Sequence, residues 1–97
     1  MSVPRDDQTL LRLHVRGRVQ GVGFRYFMLR AARERALQGW VRNEPDGSVL
    51  CEVQGPADVV ERFIDAVQRG PSFARVEDVA IESLELSDPE STEFEIR

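Results

Sequence analysis

Three glycines and two arginines fall within the nine residues Gly17-Arg-Val-Gln-Gly-Val-Gly-Phe-Arg25. The chemistry that such a cluster could do is anion binding. Glycine lets main-chain N–H groups turn inward and approach a ligand closely. An apolar pattern at helical spacing starts at Phe24, so a helix N-terminus would add unpaired N–H groups and a favourable dipole. Arginine adds a planar fork of donors that matches phosphate. No Gly-Lys-Ser/Thr follows the glycines, and G-x-G-x-x-G spacing is absent, so neither nucleotide-binding loop applies. The candidate anion contacts are Gly17, Arg18, Val19, Gln20, Gly21, Val22 and Gly23 through the loop and Arg25 through its side chain. Each has a plainer reading: the glycines as turn punctuation, Arg25 as a helix-surface arginine. Three glycines in seven residues exceed what one tight turn needs. A cation in the first turn of a helix is disfavoured by up to ~1 kcal/mol, which makes Arg25 more sensible beside an anion.

The elements that must position this loop follow from periodicity. Leu11, Leu13 and Val15 alternate with Arg12, His14 and Arg16, which predicts a strand ending at the loop. Phe24, Phe27, Met28 and Ala31 form the apolar stripe of a first helix that ends near Ala36. Gly39 to Asn43 reads as a second strand containing Trp40 and Val41, with Trp40 expected in the core. Glu44-Pro-Asp-Gly47 carries the chemistry of a tight turn, leading to a third strand, Ser48 to Gln54, with Val49, Cys51 and Val53 on one face. Pro56 is expected at the first position of a second helix, whose stripe is Val59, Val60, Phe63, Ile64 and Val67. Gly70 and Pro71 stop it. A fourth strand is predicted within Val76 to Leu86, where the alternation changes phase between Val79/Ile81 and Leu84/Leu86 and suggests a bulge. Phe94 and Ile96 mark a short last strand.

This order is the split-βαβ, ferredoxin-like pattern of the α+β class: an antiparallel sheet of four to five strands with two helices on one face. It brings Asn43 to the same sheet edge as the glycine loop. With the third strand between them, the first and second strands lie ~10 Å apart, two strand spacings. An Arg side chain and a small ligand can span that distance.

Composition bounds the function. The 97 residues suffice for one domain and one core without staples. Residues 1–9 read as a disordered lead-in and 10–97 as the domain. Cys51 is the only cysteine, which excludes an intrachain disulfide and suggests a reducing compartment. No run approaches a membrane span, and the polar N-terminus lacks the features of a signal peptide; the cytoplasm is expected. The net charge of −4 opposes general nucleic-acid binding. Residues 1–43 nevertheless carry 9 Arg against 3 acidic residues, while residues 44–97 carry 4 Arg against 14. Positive charge is gathered around the loop, which suits a small anion better than a long polyanion. His14 reads as a structural or surface residue of the first strand. No Cys, His, Asp and Glu residues fall at metal-ligand spacing, so neither metal nor cofactor is expected.

Gly17-Arg-Val-Gln-Gly-Val-Gly-Phe-Arg25, followed by Gly39-Trp-Val-Arg-Asn43 and Pro45-Asp-Gly47, resembles the acylphosphatase family. The likeness runs from about Leu11 to Ile96 and includes Gln54-Gly-Pro56 and Ala74-Arg-Val76. It implies a ferredoxin-like fold and a metal-independent hydrolase of the carboxyl–phosphate bond in small-molecule acyl phosphates. It further implies that the loop amides and Arg25 grip the phosphate while Asn43 holds the attacking water. Relatives often carry glycine where this chain has Ala36; the alanine implies that the first helix ends in another way.

The chemistry is consistent with what the chain lacks. The leaving group of an acyl phosphate is a carboxylate, whose pKa of ~4 lets it depart unprotonated. Phosphoryl transfer then rests on positioning and charge stabilisation, and the Asn43 carboxamide can orient water. The family likeness suggests that the water proton passes to a phosphoryl oxygen. The alternative is a non-catalytic module that binds a phosphorylated metabolite on the same fold, for which Asn43 would be superfluous. RNA binding on this topology would need paired exposed aromatics on the central strands, which are missing. A metal chaperone would need Cys-x-x-Cys. A monomer is expected.

Overall fold

A computed structural model describes residues 7–89 and 91–97. Of the lead-in expected over residues 1–9, residues 1–6 lie outside this range. Alternation builds β1 (Gln8–Arg18), which starts earlier than its apolar pattern because Gln8 and Thr9 pair with Pro56 and Gly55. The chain continues through α1 (Phe24–Glu34), β2 (Gln38–Asn43), β3 (Val49–Pro56), α2 (Ala57–Arg69), β4 (Arg75–Leu84) and β5 (Phe94–Ile96). Sheet order is β4-β1-β3-β2-β5. Neighbouring strands are antiparallel from β4 through β1 and β3 to β2, and β5 runs parallel to β2, so the sheet is mixed rather than wholly antiparallel. The architecture is the ferredoxin-like α+β sandwich.

The inward positions of the strands (Leu13, Val15, Val41, Val49, Cys51, Val53) meet Phe24, Met28, Val60, Phe63, Ile64 and Val67 of the helices in one buried cluster. Burial pushes the Cys51 thiol well above its ordinary pKa, so it packs as a small apolar group. Phe94 is fully buried, its ring 6.0 Å from that of Phe63. Truncating such an aromatic costs about 3–5 kcal/mol, and it is this anchor that holds the three-residue β5 on the sheet edge.

Four expectations need correction. Trp40 is not in the core. Side chains alternate along a strand, Val41 takes the inward position, and Trp40 stands on the open face, with the guanidinium groups of Arg42 and Arg97 at 5.0 and 5.3 Å from its ring centroid. Pro56 does not open α2; it ends β3 with an extended backbone (φ −58°, ψ 136°) and precedes the first helical residue. The β4 irregularity lies nearer the strand start. Arg16 faces Asp78 and Gly17 faces Val76, which leaves Glu77 as the extra residue, and Leu86 lies beyond the strand.

The fourth concerns Ala36, which does adopt the left-handed conformation with φ +55°. Its N–H donates to the Arg33 carbonyl at 3.1 Å, and the Leu37 N–H to the Ala32 carbonyl at 3.0 Å. These are the two bonds of a Schellman end, which favours glycine at this position. Alanine is held there because the next residue, Leu37, is buried in the core.

Candidate active site

The loop from Val19 to Gly23 links the end of β1 to the start of α1. Gly21 and Gly23 both have φ +75°, the left-handed region that glycine enters without strain. Among the described residues, no N–H from Gln20 to Gly23 donates to a protein acceptor. Gly23 is the N-cap of α1 and offers no side-chain acceptor to the first turn, which contains no acidic residue. The first-turn N–H groups are therefore uncapped. Loop and helix start together present a row of backbone donors.

A hollow of about 200 Å³ lies against this row, lined by Val19, Gly21, Gly23, Phe24, Arg25, Tyr26, Asn43 and Ile96. Arg25 is half-buried and makes no hydrogen bond or ion pair with any described residue. Its positive charge sits in the first turn, where the helix dipole opposes it. Asn43 is the exposed last residue of β2, opposite Val49 of β3. Two strand spacings thus separate the chain carrying the loop from the one carrying the carboxamide, and both open on one hollow.

The other loop residues are accounted for differently. Gly17 lies in β1 opposite Val76, and a Cβ on it would overlap the Arg75 carbonyl, so glycine is required there by the close approach of β4. Arg18 ends β1 opposite Arg75, with an exposed side chain. Val22 packs its side chain against the core. Gln20 turns its carboxamide away from the hollow; Nε2 donates to the Glu44 and Ser48 carbonyls, each at 2.8 Å. None of these four side chains lines the hollow.

Gln20 reaches a hairpin that is itself braced. The Glu44 N–H donates to the Ser48 carbonyl at 2.9 Å, and the Gly47 N–H to the Glu44 carbonyl at 3.1 Å. The Ser48 N–H and Oγ–H both donate to Asp46 Oδ1, at 2.9 and 2.5 Å. Because that hydroxyl proton is committed to a carboxylate, the 2.6 Å contact with His14 has Nε2–H donating to Ser48 Oγ. His14 is thus structural, as its strand position suggested. The Ser48 hydroxyl, then its N–H, hold the Asp46 carboxyl below the usual carboxylate range.

Sequence reasoning missed two members of this region. One is Gln20 as a brace, which has no periodic signature. The other is Tyr26 on the wall of the hollow. Tyr26 falls off the apolar stripe of α1 and is 60% exposed, so its departure from the stripe was a usable signal. Among the described residues, no three His, Cys, Asp or Glu side chains are grouped to hold a metal ion. No described helix is long and apolar enough to cross a membrane.

Known proteins share this sequence and this fold. The family model described as Acylphosphatase matches residues 11–96. An acylphosphatase of Oceanobacillus iheyensis is 51% identical over 88 residues, covering 90% of this chain and 96% of the relative. The crystal structure of acylphosphatase from Bacillus subtilis superimposes with a TM-score of 0.86 at 39% identity, covering 91% of this chain and 97% of that one. An acylphosphatase structure from Coxiella burnetii gives 0.90 at 31% identity over 100% of both chains. The chain therefore belongs to the acylphosphatase family.

Proposed function

We propose that this protein hydrolyses the carboxyl–phosphate anhydride of acyl phosphates, releasing a carboxylate and inorganic phosphate. One observation carries the reading: Arg25, in a helix first turn and without a partner among the described residues, and Asn43, at the end of β2, line the same hollow beside uncapped backbone N–H groups. The phosphoryl group sits against the loop amides between Val19 and Gly23, with its equatorial oxygens shared between these donors and the Arg25 fork. Charge spreads over those oxygens in the transition state, and fixed donors aimed at them are the main source of acceleration in phosphoryl transfer. Asn43 accepts a hydrogen bond from water through Oδ1 or donates one through Nδ2, and so sets the attack line. The carboxylate leaves without protonation. The water proton goes to a phosphoryl oxygen; among the described residues no histidine or carboxylate lines the hollow to take it. Gly17, Arg18, Gln20 and Val22 support the cradle from its back.

The substrate is a small molecule and the protein acts as a cytoplasmic monomer without nucleic acid. The net charge of −4 and the single free thiol support this setting. Release of inorganic phosphate from acetyl phosphate by the purified chain, with competitive inhibition by phosphate, is the direct test. Binding of phosphate without any turnover would instead identify a phosphometabolite-binding module.

A further inference from the structure

The arginines of this molecule fall into two groups. Arg12, Arg30, Arg33, Arg42 and Arg62 each hold a carboxylate at 2.7–3.9 Å. Arg16 reaches His14 Nδ1 at 3.5 Å, and Arg35 donates to the Ala31 carbonyl at 2.9 Å. Arg69 ends α2, where the helix dipole favours a cation. Arg18, Arg25 and Arg75 make no hydrogen bond or ion pair with any described residue. Arg25 has its place in the hollow; Arg18 and Arg75 need another account.

These two stand directly opposite each other, Arg18 at the end of β1 and Arg75 at the start of β4. Their neighbours Gly17 and Val76 are also paired, and Val76 packs against the core. Strand alternation therefore puts both guanidinium groups on the open face of the sheet, and both residues are exposed. Like charges directly opposite in a strand pair are destabilising. Nothing nearby relieves them: Asp78 faces Arg16 in the register, and the bulged Glu77 forms no ion pair with either. The protein thus keeps an unneutralised cation pair at some cost to its fold.

The pair lies beside the cradle. Val19, which follows Arg18, lines the hollow with Arg25, and Arg75 is one strand further out, ~5 Å. An exposed pair at this place acts on an approaching anion over the Debye length, about 10 Å at 0.1 M salt.

We infer that Arg18 and Arg75 form a recruiting site, whose field draws the phosphoryl dianion to the cradle and raises its occupancy there without entering the chemical step. The inference rests on the hydrolase reading above for the fate of that anion, and adds to it the residues that govern capture.

The experiment measures kcat/KM for acetyl phosphate from about 10 mM to about 1 M ionic strength, over which the Debye length shrinks from about 30 to about 3 Å. At low salt the double variant Arg18→Gln/Arg75→Gln should lose about tenfold in kcat/KM, through KM with kcat unchanged. The loss should vanish at high salt. Arg18→Lys/Arg75→Lys should keep wild-type values, because a field needs the charge and not the fork. Urea midpoints of the glutamine variant should equal or exceed those of wild type, whereas a structural role would lower them. Arg62→Gln, the same charge change made on α2, should behave as wild type. An unchanged kcat/KM in the glutamine variant at low salt, a loss that persists at high salt, or an equal loss in Arg62→Gln would overturn the recruiting role and leave the hydrolase reading standing. Failure of wild type to hydrolyse acetyl phosphate would overturn the hydrolase reading instead. Calorimetric titration with inorganic phosphate then decides the pair: at low salt the dissociation constant should rise about tenfold in the glutamine variant, and an unchanged constant would overturn recruitment.

Discussion

The Gln20 side chain donates to the Ser48 carbonyl at 2.8 Å, across 28 residues of sequence. With the companion bond to the Glu44 carbonyl, it ties the glycine loop to the hairpin that begins immediately after Asn43. In the proposed reaction the phosphate cradle and the water-holding carboxamide come from different strands, and the Gln20 bridge fixes one against the other.

Gln20→Ala should therefore disturb alignment more than binding. Losing two hydrogen bonds of about 1 kcal/mol each predicts a stability loss of about 1–2 kcal/mol, readable as a lower urea midpoint. Turnover should fall more than the affinity for inhibitory phosphate, because the loop amides and Arg25 survive while the attack line does not. Equal losses in both would mean that Gln20 serves the cradle alone.

Arg25→Ala should lower kcat/KM by about 10²–10³-fold, the scale of removing one preorganised charge-stabilising donor. Arg25→Lys should rescue little, because a point charge cannot reproduce the guanidinium fork. The half-buried side chain has no partner among the described residues, so neither variant should lose much stability. A folded Arg25→Lys protein with near-normal turnover would remove Arg25 from the role given to it.

All seven elements were legible in the sequence because burial periodicity is local: each strand alternates and each helix carries a stripe. The candidate site was legible for a related reason, since the glycine loop and Asn43 mark element ends that the topology brings to one edge. What was hidden depends on partners distant in sequence. Trp40 and Val41 are adjacent and apolar, and only strand parity decides which one faces the helices. The bulge at Glu77 answers to the approach of Gly17 from β1, which the β4 pattern does not encode. Gln20 is a polar residue in a polar loop until its acceptors in the hairpin are placed.

Ala36 shows a residue overruled by its surroundings. An L-residue in the left-handed region costs roughly 1–2 kcal/mol, and glycine removes that cost while giving back roughly 0.4–1 kcal/mol through a freer unfolded chain. Ala36→Gly should raise stability by about 0.5–1 kcal/mol at unchanged kcat/KM, measured by urea unfolding with acetyl phosphate turnover as control. A loss of stability would mean that the strain at φ +55° is smaller than the entropy returned.

Asp46 gives the hairpin a pH dependence of definite sign. Its folded pKa lies below the ordinary value, chiefly because the Ser48 hydroxyl and then the Ser48 N–H donate to the ionised carboxylate. A group depressed in this way stabilises the fold above its unfolded pKa of about 3.9 and loses that contribution as pH falls through the lower folded value. Urea midpoints should therefore stay level for this group from pH 7 to about 5 and decline below about pH 4. Asp46→Asn should be less stable at pH 7, where the ionised acceptor is missing, and its decline below pH 4 should be shallower than that of wild type. Because Ser48 also takes the His14 Nε2–H and the Gln20 carboxamide, loosening at Asp46 should be felt at Asn43, as a fall in turnover of acetyl phosphate in Asp46→Asn at pH 7. Parallel acid profiles for the two proteins would show that Asp46 is not the group responsible.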